Sequence, residues 1–239
     1  MKNFVKKLNS LFEDKKKRYL YMILFMLPFI IAIGIFGYVV FKEAKGLLNL
    51  VKDDDAPTSE VAYSIPSKKY VLRDNATEYQ IALFEELKEL YEQNGDEVQL
   101  AESICKNYVA DFYTWSNKYG QYDVGGLYYV FTPQRELIYI QARDGIYKYI
   151  NDYANEYGFA DLLQVTNVEA SGKKDSTKYL LSIINEDGST TESEYTSYSV
   201  KCTWTYAETS KFNTSKYDTS MNFTVIDNNG RFEIVEASK

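Results

Sequence analysis

The most constraining feature of the sequence is a run of 23 residues without a charged side chain, from Tyr19 to Phe41. At about 1.5 Å per residue, a helix of this length crosses a hydrocarbon core of about 30 Å, and helices buried in soluble domains rarely stay uncharged for so long. The run therefore predicts a transmembrane helix. It divides the chain into a short tail, residues 1–18, and a larger C-terminal part, residues 42–239.

The charges that flank the run predict its orientation. The tail carries seven Lys and Arg residues against two acidic ones, and such a basic flank stays in the cytoplasm. A cleaved signal peptide is the alternative, but the run is longer than a typical hydrophobic region and no A-x-A cleavage site follows Phe41. We therefore expect a single-pass cell-membrane protein with a cytoplasmic N-terminus and an extracytoplasmic C-terminal domain.

Composition narrows the function of that domain. Residues 42–239 have a net charge of −12, which argues against nucleic acid as a partner because phosphate binding depends on clustered Lys and Arg. The chain contains 23 Tyr and no His. Without His, the usual general base, the Ser and Cys triads and the commonest transition-metal ligand are all missing. We predict no catalytic residue, no cofactor and no metal site.

The two cysteines, Cys105 and Cys202, leave two interpretations open. An extracytoplasmic compartment would permit a disulfide between them. Alternatively, each is a small buried hydrophobic residue, which is the common role of an isolated Cys.

Residues 42–76 have the composition of a linker. An acidic run at Asp53 to Asp55 is followed by Pro57 and Pro66, which interrupt helix and favour extended chain. We expect this stalk to space a folded domain, residues 77–239, from the bilayer.

Two helices are predicted at the start of that domain. Thr77 and Gln80 form a capping-box pattern that predicts a first helix ending at Gln93, and Asp96 begins a second predicted helix that reaches about Asn117. Both carry apolar residues at intervals of three and four, so both should pack on a common partner.

A third helical region follows an aromatic, glycine-rich loop. Thr132 is its predicted N-cap, Pro133 its first helical residue, and it lasts to Tyr157, where Gly158 should end it. Gly145 could break it into two pieces. The loop itself contains DVGG, residues 123–126, which we interpret as a tight turn because it lacks the Lys and Ser/Thr of a phosphate-binding loop.

After Gly158 the apolar period changes from helical to two, which predicts strands. The predicted strands are Leu162 to Ala170, Lys178 to Ile184, Glu194 to Glu208, Thr219 to Ile226 and Arg231 to Val235. The connections NEDGS and DNNG are typical of hairpin turns, so neighbouring strands should be antiparallel. The predicted fold is α+β, with helices packed on a curved antiparallel sheet of four to five strands behind the transmembrane helix.

Helices followed by a meander of long strands resemble the nuclear transport factor 2-like, or cystatin-like, superfamily. With its basic tail and single span, the chain also resembles the bitopic scaffold subunits of type IV secretion and conjugation systems. The stretch DFYTWSNKYGQYDVGGLYYV is similar to membrane-anchored surface proteins of Gram-positive-type bacteria. The resemblance implies a scaffold role and assigns no functional residue.

These observations lead to three functional hypotheses. The first is a non-enzymatic interaction or scaffold module of an envelope assembly, with protein partners that could include further copies of the chain. The second is a ligand-binding or enzymatic module with a pocket in the concave face of the sheet. Its predicted lining is Asp111, Tyr113, Trp115, Asp123, Tyr128, Glu136, Trp204 and Phe223. The third is a membrane sensor or regulator.

Overall fold

A computed structural model describes residues 64–184 and 189–239. The predicted tail, the predicted transmembrane helix at Tyr19 to Phe41 and much of the predicted linker lie outside these residues. Among the helices of the described part, none is both long and apolar enough to cross a membrane. The anchor therefore stays a prediction from the sequence.

The described residues form an α+β fold in which helices pack on a five-stranded antiparallel sheet, as predicted. The helices are α1 (Glu78–Glu92), α2 (Glu97–Phe112), α3 (Arg135–Asp144) and α4 (Ile150–Tyr157). The strands are β1 (Ser64–Ile65), β2 (Tyr70–Val71), β3 (Val165–Lys174), β4 (Tyr179–Ile184), β5 (Thr190–Tyr206), β6 (Ser220–Asn228) and β7 (Arg231–Ser238).

The fold includes residues that we assigned to the linker. β1 and β2 pair antiparallel as a separate small sheet. Tyr70 of β2 is completely buried, and its hydroxyl donates to the carbonyl of Phe232 at 2.6 Å. From Ser64 onward, therefore, the predicted linker is part of the folded domain.

The caps of the first two helices confirm the sequence signals. Thr77 and Gln80 form a complete capping box, and Asp96 caps α2 by accepting from two backbone N–H groups. However, α2 ends at Phe112 and does not reach Asn117. The backbone N–H groups of Trp115 and Ser116 donate to a carbonyl ahead of β3, so tertiary hydrogen bonds draw the chain away from the helix.

The third helical region is divided, as predicted, at Gly145, which lies between α3 and α4. Gly158 ends α4 with a φ of 87°, a conformation that favours glycine. The prediction that Thr132 caps a helix is wrong. Thr132 lies in a short 3-10 turn, Thr132–Gln134, and its hydroxyl donates to a carboxylate oxygen of Glu233 at 3.1 Å.

The sheet has the order β3-β5-β6-β7, and β4 also pairs with β5. β5 is long enough, at 17 residues, to pair with both: β4 pairs with residues 190–195 and β3 with residues 198–206. The predicted turn between β6 and β7 is confirmed, since Asn229 and Gly230 both have positive φ, as a two-residue hairpin turn requires.

The helix-facing side of the sheet is filled by side chains. Tyr108 of α2 packs edge-on against Phe223, and Tyr113 packs against Trp204 with a ring separation of 4.6 Å. Both Trp204 and Phe223 are buried. Two of the residues that we predicted to line a pocket in the sheet, Trp204 and Phe223, therefore belong to the core between the helices and the sheet.

Candidate functional site

A cleft of about 750 Å³ lies on the helical side of the domain. Its walls come from the connection between β2 and α1, from the loop after α2 and from the first turns of α3. The lining residues are Val71, Leu72, Arg73, Asp74, Asp111, Asp123, Val124, Gly126, Leu127, Tyr128, Arg135, Glu136 and Tyr139.

The cleft brings together half of the predicted pocket residues: Asp111, Asp123, Tyr128 and Glu136 all line it. The other four, Tyr113, Trp115, Trp204 and Phe223, are buried in the hydrophobic core instead. Tyr128 is the only predicted aromatic residue that lines the cleft, whereas Tyr113 and Trp115, just after the end of α2, face the core.

Arg73 forms the base of the cleft. Its guanidinium donates to both oxygens of Asp123, at 3.1 and 2.9 Å, and its Nε donates to Asp111 at 2.8 Å. A further bond reaches the carbonyl of Asn117 at 2.9 Å. Such a bidentate, charge-assisted pair fixes geometry as well as adding energy. One guanidinium thus connects three segments of the chain.

Lys118 is the second cation of the charge network. Its side chain is completely buried, and its ammonium donates to the carboxylate of Asp111 at 3.0 Å and to the carbonyl of the same residue at 2.8 Å. The backbone N–H of Gly126 donates to the other Asp111 oxygen at 2.6 Å. Two cations and two carboxylates therefore balance one another at the base.

The network determines the protonation of its members. Burial alone would raise the pKa of the Asp111 carboxyl, but Lys118, Arg73 and the Gly126 N–H outweigh it, so the pKa is lowered to about 2. Burial lowers the pKa of Lys118 to about 8, against the opposing effect of Asp111. A carboxylate that stays ionised and fully paired is a poor general acid or base near neutral pH.

Gly125 and Gly126 allow the loop after α2 to lie directly against Asp111. A Cβ on Gly125 would lie 2.3 Å from the backbone oxygen of Asp111, and Gly126 has a φ of 75°. The predicted tight turn at residues 123–126 is not itself closed by a hydrogen bond: one turn closes before it, from Gly120 to Asp123, and another after it, from Gly126 to Tyr129. The N–H of Gly126 donates to the carboxylate of Asp111, whereas the N–H of Gly125 donates to the hydroxyl of Tyr147.

Exposed apolar side chains lie on the same two elements, α3 and the loop after α2, that contribute walls to the cleft. Leu137 and Ile140, on α3, are 58% and 40% exposed, and Tyr122 and Tyr128, on the loop after α2, are 66% and 47% exposed. Arginines of α3 lie over tyrosine rings here: Arg135 over Tyr128, and Arg143 over Tyr122 and Tyr139. We refer to Tyr122, Tyr128, Leu137 and Ile140 as the α3 surface.

The residues that the structure describes offer little other chemistry. They contain no group of three or more acidic or Cys side chains placed to hold a metal ion. Cys105 and Cys202 are both buried and free, and their side chains interact within the core. Neither thiol reaches the cleft.

Comparison with known protein families, with curated proteins and with solved structures finds no match to this chain.

Sequence reasoning missed Arg73 and Lys118. Asp111 lies on the apolar stripe of α2, next to Phe112, and a carboxylate in such a position requires a cation. That signal predicts the existence of a partner. It does not identify the partner, because Arg73 lies 38 residues away in the chain.

Proposed function

We propose that this protein is a single-pass membrane protein whose extracytoplasmic domain is a non-enzymatic scaffold module of a cell-envelope assembly, and that it binds another protein subunit through the cleft and the α3 surface. The uncharged run at Tyr19 to Phe41 and its basic flank support the anchor and its orientation. The order of helices before an antiparallel sheet supports the resemblance to the nuclear transport factor 2-like superfamily and to secretion or conjugation scaffolds.

The observation that carries the proposal is the exposure of the α3 surface. Leu137 and Ile140 lie three residues apart and therefore share one face of the helix. Ala142 is the only buried residue of the ten in α3. Single exposed apolar side chains are ordinary, whereas several of them on neighbouring elements are typical of a protein-binding site.

A small-ligand or enzymatic function is the second candidate, and the cleft volume is compatible with it. The charges argue against it. Both carboxylates at the base, Asp111 and Asp123, are already held by Arg73, so they have no free oxygen pair to act on a substrate. The interaction module is therefore the better supported function.

Site-specific photocrosslinking in living cells tests the proposal. A photoreactive amino acid replaces Leu137 in the full chain, and the matched control replaces Leu180, an exposed leucine of β4. We expect a discrete adduct with one envelope protein from position 137, lost when Ile140→Glu is added, and no such adduct from position 180. Identical adducts from both positions, or none from position 137, would contradict the proposal.

The anchor needs its own experiment. The full chain should remain in the membrane pellet after alkaline carbonate extraction, and protease added to intact cells should digest the C-terminal domain. A chain released by carbonate, or protected from protease in cells whose surface proteins are digested, would contradict the predicted topology.

A further inference from the structure

We infer that the partner inserts a basic segment with apolar side chains into the cleft. This inference rests on the proposed function and adds the chemistry of the partner to it. Three features carry it: the charges left unpaired in the cleft, the apolar walls, and the charge of the domain as a whole.

The unpaired charge in the cleft is negative. Arg73, Lys118, Asp111 and Asp123 satisfy one another at the base. Asp74 and Glu136 also line the cleft, and both are exposed. Neither of these two carboxylates forms an ion pair with any residue in 64–184 or 189–239. A bound cation could therefore approach them without displacing an existing partner.

Arg135 does not cancel these carboxylates. Its guanidinium donates to the carbonyls of Val130 and Tyr128, at 3.1 and 3.2 Å, and lies 3.7 Å from the buried carboxylate of Glu233. Those contacts hold the guanidinium of Arg135 close to Glu233 of β7. The first turn of α3 is a favourable place for the charge of Glu136, and this stabilisation leaves its oxygens free for a ligand.

The walls of the cleft are apolar. Val71, Leu72, Val124 and Leu127 line it, together with the ring of Tyr139. A volume of about 750 Å³ accepts a few side chains of an extended segment and is too small for a folded domain. The ligand must therefore supply apolar groups for the walls as well as positive charge for Asp74 and Glu136.

Long-range electrostatics favour the same partner. Residues 42–239 carry a net charge of −12, and a field of this sign speeds the approach of a cationic segment while it opposes an acidic one.

The test is selection from a random peptide library displayed on phage, with the full chain in lipid nanodiscs as the target. We expect the selected peptides to combine Lys or Arg with aromatic or aliphatic residues. The double variant Asp74→Asn/Glu136→Gln should weaken their binding about tenfold, since it removes two exposed charge pairs. Glu208→Gln, which removes an exposed carboxylate outside the cleft, should leave binding unchanged.

The outcomes separate this inference from the proposed function. Selected peptides that are neutral or acidic, yet lose binding with Leu137→Glu, would overturn the inference and leave the interaction surface standing. Basic peptides that bind the double variant as tightly as the unmodified chain would also overturn the inference. Peptides insensitive to both the cleft variants and Leu137→Glu would overturn both proposals.

Discussion

Arg73 and Asp123, fifty residues apart in the chain, form a bidentate ion pair with N–O distances of 3.1 and 2.9 Å. Because Arg73 also donates to Asp111, it joins the connection before α1 to the end of α2 and to the loop that follows. These charges hold the cleft in shape. They are therefore a structural requirement of the proposed binding surface, and their loss should affect folding first.

Asp111→Asn should destabilise the domain strongly. The substitution leaves the ammonium of Lys118 buried without a carboxylate, and breaking such a pair from one side costs about 3–5 kcal/mol. Urea unfolding of the full chain in detergent, followed by tryptophan fluorescence, measures the change. Asp74→Asn removes an exposed carboxylate of the same cleft and should change the free energy of unfolding by less than about 0.5 kcal/mol. Equal effects of the two variants would contradict the network's structural role.

The stability of the domain should fall in acid because of Asp111. Its pKa is lowered from 3.8 to about 2 on folding, so its contribution is fully present above the unfolded value and is lost as the pH falls toward 2. The difference amounts to about 2 kcal/mol. Unfolding measured from pH 6 downward should show this loss in the unmodified chain and a shallower dependence in Asp111→Asn. The same slope in both would show that other groups are responsible.

Gly125→Ala should be destabilising although its φ is not positive. The new Cβ would lie 2.3 Å from the backbone oxygen of Asp111, which cannot move without displacing the end of α2. We expect a loss of more than about 2 kcal/mol, the range of overpacked sites. Gly172→Ala is the control, because its Cβ would meet only the side chains of Glu102 and Val98, at 3.1 Å or more. A milder effect at Gly125 than at Gly172 would contradict the close approach of Gly125 to the backbone of Asp111.

The cysteines should not react in the folded protein. Cys105 and Cys202 are both buried, and burial raises the pKa of the Cys105 thiol, so thiolate is scarce as well as inaccessible. A thiol reagent should modify neither before denaturation and both after it. If denatured protein reacts only after reduction, the two residues form a disulfide in the cell, which is the other interpretation of the sequence.

The sequence predicts features that neighbouring residues determine better than features that depend on contacts between residues far apart in the chain. The Thr77 and Asp96 caps and the division at Gly145 depend on neighbouring residues, and the structure confirms all three. The end of α2 and the role of Thr132 were mispredicted because each depends on a partner far along the chain. No short-range pattern contains that information.

In the candidate site, too, the residues that are close together in the sequence were predicted and the distant partner was not. Asp111, Asp123, Tyr128 and Glu136 could be chosen because they are close in the sequence to the aromatic loop, and the structure places them in one cleft. Arg73 could not be chosen, since it lies in a stretch with the composition of a linker. Tyr113 and its aromatic neighbours lie in the core because the chain turns at the end of α2, which aromatic content alone does not indicate.

Electrophoresis of native complexes extracted mildly from cell membranes tests the central claim most directly. The unmodified chain and the control Leu180→Glu should both migrate in a complex much larger than the single chain, whereas Leu137→Glu/Ile140→Glu should migrate as the chain alone. If all three migrate identically, or if only Leu180→Glu loses the complex, the α3 surface is not where the partner binds.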